Sequence, residues 1–276
     1  MKTKSGKELH RVGIGTWGIA SRVNTGVENK YGHVEAIHGN EPEEIAAIQY
    51  SLSKGQNHID CAELYGAFYT DDVVGTAIAG HDREDLYIAD KLWKTSIEDR
   101  RVRLTVERML KKLQTNYIDL LYIHSPWDDV DWRMAIPQID SLIGEGVVRE
   151  FGVSNFTVEQ MQVAMDIAKH PVAANQIHYN VIDQGNADTV FRDFCRAHDI
   201  QIVAYQPLKR TAVMESPIIQ DIAQSHKATP SQVALAWLIQ MGTLPIPKAT
   251  SHEHIDENLG ALEIQLTGEE IAALSP

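Results

Sequence analysis

Cysteine is nearly absent: Cys61 and Cys195 are too few for a disulfide framework and lack the C-x-x-C spacing of a metal or redox pair. A reducing, cytoplasmic setting fits that count. Positive charge is also short, with 25 Lys and Arg against 38 Asp and Glu and a formal net charge of −13. No basic run exceeds a pair such as Arg100-Arg101, which excludes a broad footprint for nucleic acid or an anionic membrane. Any phosphate must therefore meet a local basic site. No apolar run approaches the roughly 18 residues of a membrane span, and Met1 to Glu8 has no apolar core behind its lysines. Neither secretion nor insertion into a membrane is expected.

Linkers, charge blocks, low-complexity tracts and internal repeats are missing too, so residues 1–276 read as one domain. His252 and His254 flank Glu253 but have no remote partner, and no metal is expected. With 43% apolar and 23% charged residues the composition is that of an ordinary globular protein, which excludes disorder as the main state.

What the chain does have is alternation. Eight short apolar runs read as buried strands: 12–16, 57–60, 86–91, 117–124, 147–154, 173–176, 201–205 and 243–246. Between them lie helix patterns, with Ile45, Ile48 and Leu52 on one face, and Val102, Val106, Met109, Leu110 and Leu113 on another. Thr229-Pro230-Ser231-Gln232 and Thr157-Val158-Glu159-Gln160 carry capping boxes, and Gly242 is placed to stop a helix. Eight strand and helix units in this length predict a single α/β domain, a (β/α)8 TIM barrel. Gly13-Ile14-Gly15-Thr16-Trp17-Gly18 spells the dinucleotide fingerprint, but residues 19–40 show no helical period to follow it. We read it as a loop after strand one.

In such a barrel the active site forms at the carboxyl ends of the strands. Those ends are polar here: Asp60, Lys91, His124, Ser154 with Asn155, Gln176, Tyr205, and Lys248 just past the last, with Tyr65 close behind Asp60. One such residue alone is usually a structural ion pair or a loop anchor. The set is different, because burying so many polar groups at one mouth without a ligand costs about 1–3 kcal/mol for each unsatisfied group. Asp, Tyr, Lys and His together suit protonation of a carbonyl oxygen during hydride delivery. Lys91 would lower the pKa of the Tyr65 phenol, Asp60 would aim Lys91, and His124 would orient the carbonyl. None of the four donates hydride, so a cofactor is required. Trp17, Trp93 and Trp127 stand beside the strand ends and are expected to wall the substrate pocket, while Trp132 is expected to be packing.

The segments His58-Ile59-Asp60-Cys61-Ala62-Glu63-Leu64-Tyr65-Gly66, Lys91 and Ile123-His124-Ser125-Pro126 resemble the aldo-keto reductases. Gly152 to Phe156, Asn175 to Asn180, Ala204 to Leu208 and Ile246-Pro247-Lys248 continue the resemblance in order over nearly the whole chain. It implies a barrel reductase that binds NADPH, with NADH possible, and reduces a small-molecule carbonyl substrate, with Tyr65 as general acid. It further implies that Ser154, Asn155 and Gln176 hold the nicotinamide carboxamide and that Tyr205 stacks on its ring. Leu208 would lie along the pyrophosphate, Lys248 at the 2′-phosphate, and Glu257 and Asn258 at the adenine.

Some positions depart from the family pattern. His254 stands where many NADPH users have an arginine, and an imidazole cannot make the bidentate phosphate contact. Gln206 and Cys61 replace smaller or hydroxylated residues. The chain stops at Ser275-Pro276, just after a capping-box helix opened by Thr267 and Glu270, where many relatives carry a further loop over the substrate. An open pocket with broad specificity is expected. The connection from Gly18 to Glu41, with Tyr31, His33 and His38, is either a cover for the mouth or a surface excursion. A monomer is expected. Two alternatives stay open: an NAD(P)+-dependent sugar or polyol dehydrogenase, and a cofactor-sensing binding subunit.

Overall fold

Strand β1 (Ile14–Gly15) pairs in parallel with β2 (His58–Asp60), and the series continues through β3 (Tyr87–Leu92), β4 (Ile118–Ile123), β5 (Val148–Ser154), β6 (Val172–His178), β7 (Gln201–Tyr205) and β8 (Leu244–Pro245). In this computed structural model residues 2–20, 40–98, 100–185, 187–209 and 212–275 are described in full, together with the backbone of 24–29 and 32–35. The sheet closes on itself, since Gly13 N donates to Pro245 O at 2.9 Å and Gly15 N to Pro247 O at 3.1 Å. All eight strands predicted from the apolar runs are present within a few residues.

The glycines of the apparent fingerprint serve this closure. A Cβ at Gly15 would stand 2.4 Å from the Ile246 carbonyl oxygen, so only glycine lets β1 and β8 approach. Gly18 turns the chain at φ +87°, and an antiparallel hairpin of Asn24–Asn29 and Gly32–Glu35 follows instead of a nucleotide-binding helix. Tyr31 and His38, suggested to cover the mouth, lie outside the described residues, and of His33 only the backbone is described.

Side chains alternate across each strand. Leu9, Tyr87, Ala89, Leu120, Tyr122, Ala174, Val203, Leu244 and Ile246 fill the barrel interior. The outward set, including Ile59, Ile88, Leu121 and Val153, packs beneath the helices with Val106, Met109 and Leu113 of the helix Val102–Leu113. Burying each such aliphatic side chain contributes about 1.5–3 kcal/mol, which outweighs weak local propensity and fixes each helix face. The helix Glu41–Ser53 buries Ile48 and Leu52 as the spacing predicts, and the boxes at Thr157, Thr229 and Thr267 all form. Trp132 is packing, edge-on to Phe156 at 4.7 Å. Among the described residues no helix is long and apolar enough to cross a membrane.

Candidate active site

The inward alternation that stacks the interior also aims Asp60 and Lys91 up the barrel axis. Lys91 Nζ donates to Asp60 Oδ2 at 2.7 Å and to the Cys61 carbonyl at 2.6 Å, and both side chains are almost wholly buried. The second Asp60 oxygen accepts from Gln176 Nε2 at 2.6 Å. A buried pair of charges survives only when its remaining valences are met in this way. The Tyr65 ring lies above the ammonium, 5.0 Å from nitrogen to centroid, and meets the His124 ring edge-on at 6.0 Å.

Tyr65 is presented by an unusual turn. It opens the 3-10 turn Tyr65–Phe68, where Gly66, Ala67 and Phe68 all have left-handed φ of 55°, 55° and 72°. A Cβ at Gly66 would fall 2.6 Å from Thr70 Oγ1 and 2.9 Å from the Ala20 methyl, so glycine is required beside the phenol.

Burial dominates the electrostatics. It pushes the Tyr65 phenol up to about 12, with Lys91 opposing and Asp60 assisting. The sequence suggested a net lowering by Lys91, and that is corrected here: desolvation of the phenolate outweighs the ammonium. The phenol thus holds its proton at neutral pH. For Lys91, burial works against the charge, but Asp60, Tyr65 and Asp90 together outweigh it and raise the pKa above that of free lysine. Burial and then Lys91 bring His124 down to about 3, so its imidazole is neutral. Deeper in the barrel, burial likewise lowers His58 to about 4.

These two histidines make acid sensitivity predictable. The unfolded chain binds protons at both below a pH of about 6.5 while the folded chain does not, so stability falls as pH falls. We expect each to remove about 3 kcal/mol between pH 7 and 4, at 1.36 kcal/mol per pKa unit. Denaturant melts of the His124→Gln variant over that range check this: its stability should decline less steeply than that of the wild type, and an equal slope would contradict the account.

Above the tetrad lies a cavity of about 310 Å³ lined by Gly15, Trp17, Asp60, Tyr65, His124, Ser154, Asn155, Gln176, Tyr205, Gln206, Pro207, Ile246 and Lys248. Most residues predicted from the strand ends therefore meet in one place. Asn155 Nδ2 donates to the His124 carbonyl at 3.3 Å and to Ser154 Oγ at 3.1 Å, while Asn155 Oδ1 accepts from Tyr205 OH at 3.0 Å. Ser154 Oγ donates to the Gln176 carbonyl at 2.9 Å. This net fixes the Tyr205 ring at the cavity wall, and a bound amide would exchange some of its bonds.

Other predicted residues stand outside that lining. Trp93 and Trp127 pack edge-on at 5.1 Å, and Trp93 meets the His124 ring at 5.2 Å, forming an aromatic flank to the tetrad. Leu208 packs on the core, and Asn258 is buried. Glu257 accepts from Thr229 Oγ1 at 2.7 Å and faces His254 Nδ1 at 3.3 Å. Lys248 is exposed at the rim, and among the described residues no carboxylate pairs with it.

The aldo/keto reductase family model matches residues 11–275. The chain belongs to the aldo/keto reductase family. It is accordingly an oxidoreductase. A methylglyoxal reductase, DkgB of Escherichia coli O157:H7, is 33% identical over 236 residues, covering 84% of this chain and 86% of that protein. The thermostable aldo-keto reductase Tm1743, solved with the inhibitor epalrestat, superposes with a TM-score of 0.90 at 32% identity, covering 99% of this chain and 97% of that one. An aldo/keto reductase from Klebsiella pneumoniae, solved with NADP and acetate, gives 0.84 at 29% identity, covering 99% and 93%.

Within this reductase, sequence reasoning missed three lining residues: Gly15, Pro207 and Ile246. Gly15 was legible as the last residue of β1, and Ile246 as the residue just past β8. Pro207 carries no chemistry of its own, and only its place next to Tyr205 and Gln206 points to it.

Proposed function

We propose that this reductase reduces small aldehydes, dicarbonyls and sugar-derived ketones to alcohols with NADPH, Tyr65 giving the proton. The observation that carries the reading is the buried Lys91–Asp60 pair beneath a protonated phenol at the floor of the cavity. The methylglyoxal reductases and NADP-bound reductase among its relatives support it.

The residues present fit such a cofactor: a flat Tyr205 ring, the Asn155 and Gln176 amides and the Ser154 hydroxyl line one wall, and the exposed Lys248 ammonium, with which no carboxylate among the described residues pairs, marks its rim. The bound nicotinamide supplies hydride. Everything else falls to the protein. The carbonyl oxygen accepts hydrogen bonds from Tyr65 OH and from neutral His124, which fixes which face of the carbon is presented. As negative charge grows on that oxygen, Tyr65 releases its proton to it, and the Lys91 ammonium below stabilises the phenolate that remains. Asp60 holds that ammonium in place throughout, and the proton returns to Tyr65 from solvent. Trp17 lines the open mouth of the cavity, while Trp93, packed on His124 and Trp127, backs the carbonyl site from outside the lining.

Cofactor choice rests on Lys248 in this reading, because His254 is largely exposed and turned to Glu257. Losing one charged hydrogen bond costs about 1.5–3 kcal/mol. Lys248→Ala is therefore expected to weaken NADPH roughly 10- to 100-fold with NADH nearly unchanged, as read by fluorescence titration. Equal weakening of both would remove Lys248 from the phosphate.

A further inference from the structure

At the amino-terminal ends of the strands, opposite the tetrad, lies a second cavity of about 280 Å³. That is near the lower end of the range for small-molecule sites, about 300–1,000 Å³. His58 opens β2, Tyr87 opens β3 and Leu244 opens β8, so side chains that begin the strands form its walls. Most of the wall is aliphatic, from Leu9, Leu120, Ala174, Val203 and Leu244. His58 is the exception. It lines the cavity with 1% of its surface exposed, and neither ring nitrogen has a hydrogen-bond partner among the described residues. Packing alone holds the ring, edge-on to Tyr87 at 5.4 Å and against Gly13, where a Cβ would fall 3.1 Å from Nδ1. Buried polar side chains nearly always have a partner, and this imidazole, kept neutral by its burial, has one N–H to give and one lone pair to receive.

The rim is basic, on a chain whose net charge is −13. Arg192 and Arg196 stand four residues apart on one face of the helix Thr189–Ala197, and Lys2 and Lys4 of the N-terminal segment join them in the lining. Two carboxylates share that lining, and both are engaged. Glu150 accepts from Tyr87 OH at 2.5 Å and from the Ser5 N–H, and Asp199 accepts from Lys4 Nζ at 3.3 Å. Arg196 is paired with Asp193. Among the described residues no carboxylate pairs with Lys2 or with the half-buried Arg192. Arg192 donates instead to the Ala187 carbonyl and to Thr189 Oγ1 at 3.3 Å, neutral acceptors that leave its charge uncompensated.

We propose that this mouth is a second ligand site, for a short aliphatic carboxylate with a hydroxyl at its far end. The carboxylate meets Arg192 and Lys2 at the rim, the carbon chain lies on the aliphatic wall, and the hydroxyl reaches the His58 ring. A hydroxyl both donates and accepts, which supplies what the imidazole lacks. A carboxylate matches the planar fork of an arginine and brings the charge that Arg192 is missing. A bare inorganic anion would leave the aliphatic wall and His58 uncovered. The site uses no residue of the tetrad or of the cofactor wall, so it stands whether or not the reaction proposed for the other mouth does.

Calorimetric titration of the whole protein, with NADPH present, against 4-hydroxybutanoate, 6-hydroxyhexanoate, 8-hydroxyoctanoate and the matching acids without the hydroxyl tests this. At least one hydroxy acid should bind saturably, and several-fold more tightly than its unsubstituted partner. His58→Phe keeps the ring packing against Tyr87 and should erase that preference. Arg192→Gln keeps donors for Ala187 and Thr189 but not the charge, and should weaken the acids roughly 10- to 100-fold. Both variants should bind NADPH as the wild type does, which shows that they are folded. In the wild type the His58 ring nitrogen signals in NMR should also move as the tightest acid is added. No saturable binding of any hydroxy acid, the behaviour of a cavity that holds only water, overturns the site. Binding that neither variant alters places the acids elsewhere on the protein and overturns it equally.

Discussion

We expect Tyr65→Phe to lower kcat by two or more powers of ten, on the ordinary scale of a lost general acid, and to leave NADPH affinity near that of the wild type. The phenol meets the cofactor wall only through the cavity they share, while Ser154, Asn155, Gln176 and Tyr205 hold their own hydrogen-bond net without it. The ring itself is kept in Phe, so its edge contact with His124 and its place over Lys91 survive. Only the proton is lost. Single-turnover rates with fluorescence titration of NADPH check this, and a variant that turns over at the wild-type rate would remove Tyr65 from the chemistry.

The second large effect is on stability as well as rate. Lys91→Met leaves the Asp60 carboxylate buried with Gln176 Nε2 as its remaining donor, and breaking a buried pair from one side costs about 3–5 kcal/mol. Asp60→Asn is milder, because an amide oxygen can still accept from Lys91 Nζ and the Cys61 carbonyl keeps its bond. A Lys91→Met/Asp60→Leu double variant should recover part of the stability lost in Lys91→Met, since no lone charge remains, yet none of the activity. Denaturant midpoints and kcat together make the test. A Lys91→Met protein with wild-type midpoint and wild-type kcat would mean that the pair neither holds the floor of the site nor stabilises the phenolate.

The fold was legible because parallel strands covered on both faces leave continuous apolar runs, and these mark β1 to β8 within a few residues. The tetrad was legible for a related reason: Asp60, Lys91 and His124 stand at strand ends, where barrel geometry brings distant segments together. What period and spacing do not carry is the balance of opposing effects at one atom. Lys91 does lower the Tyr65 pKa, but burial raises it further, and that competition is set by packing depth. Gly13 and Gly15 spell part of a phosphate-loop motif, but letters alone do not say whether a missing Cβ makes room for a ligand or for a neighbouring strand; the lack of a helical period after them pointed to the second. Burial is likewise invisible to spacing: an Asp among helix or strand residues, such as Asp71 or Asp90, reads as surface until its packing is seen.

The most direct test of the central claim is the loss of NADPH absorbance with methylglyoxal, glyceraldehyde, a nitrobenzaldehyde and a ketose, run beside NADH and the Tyr65→Phe variant. The account predicts turnover of the small aldehydes and dicarbonyls, faster with NADPH than with NADH, that is almost abolished in the variant. Tight NADPH binding with no turnover of any carbonyl, or equal turnover in the variant, would contradict it.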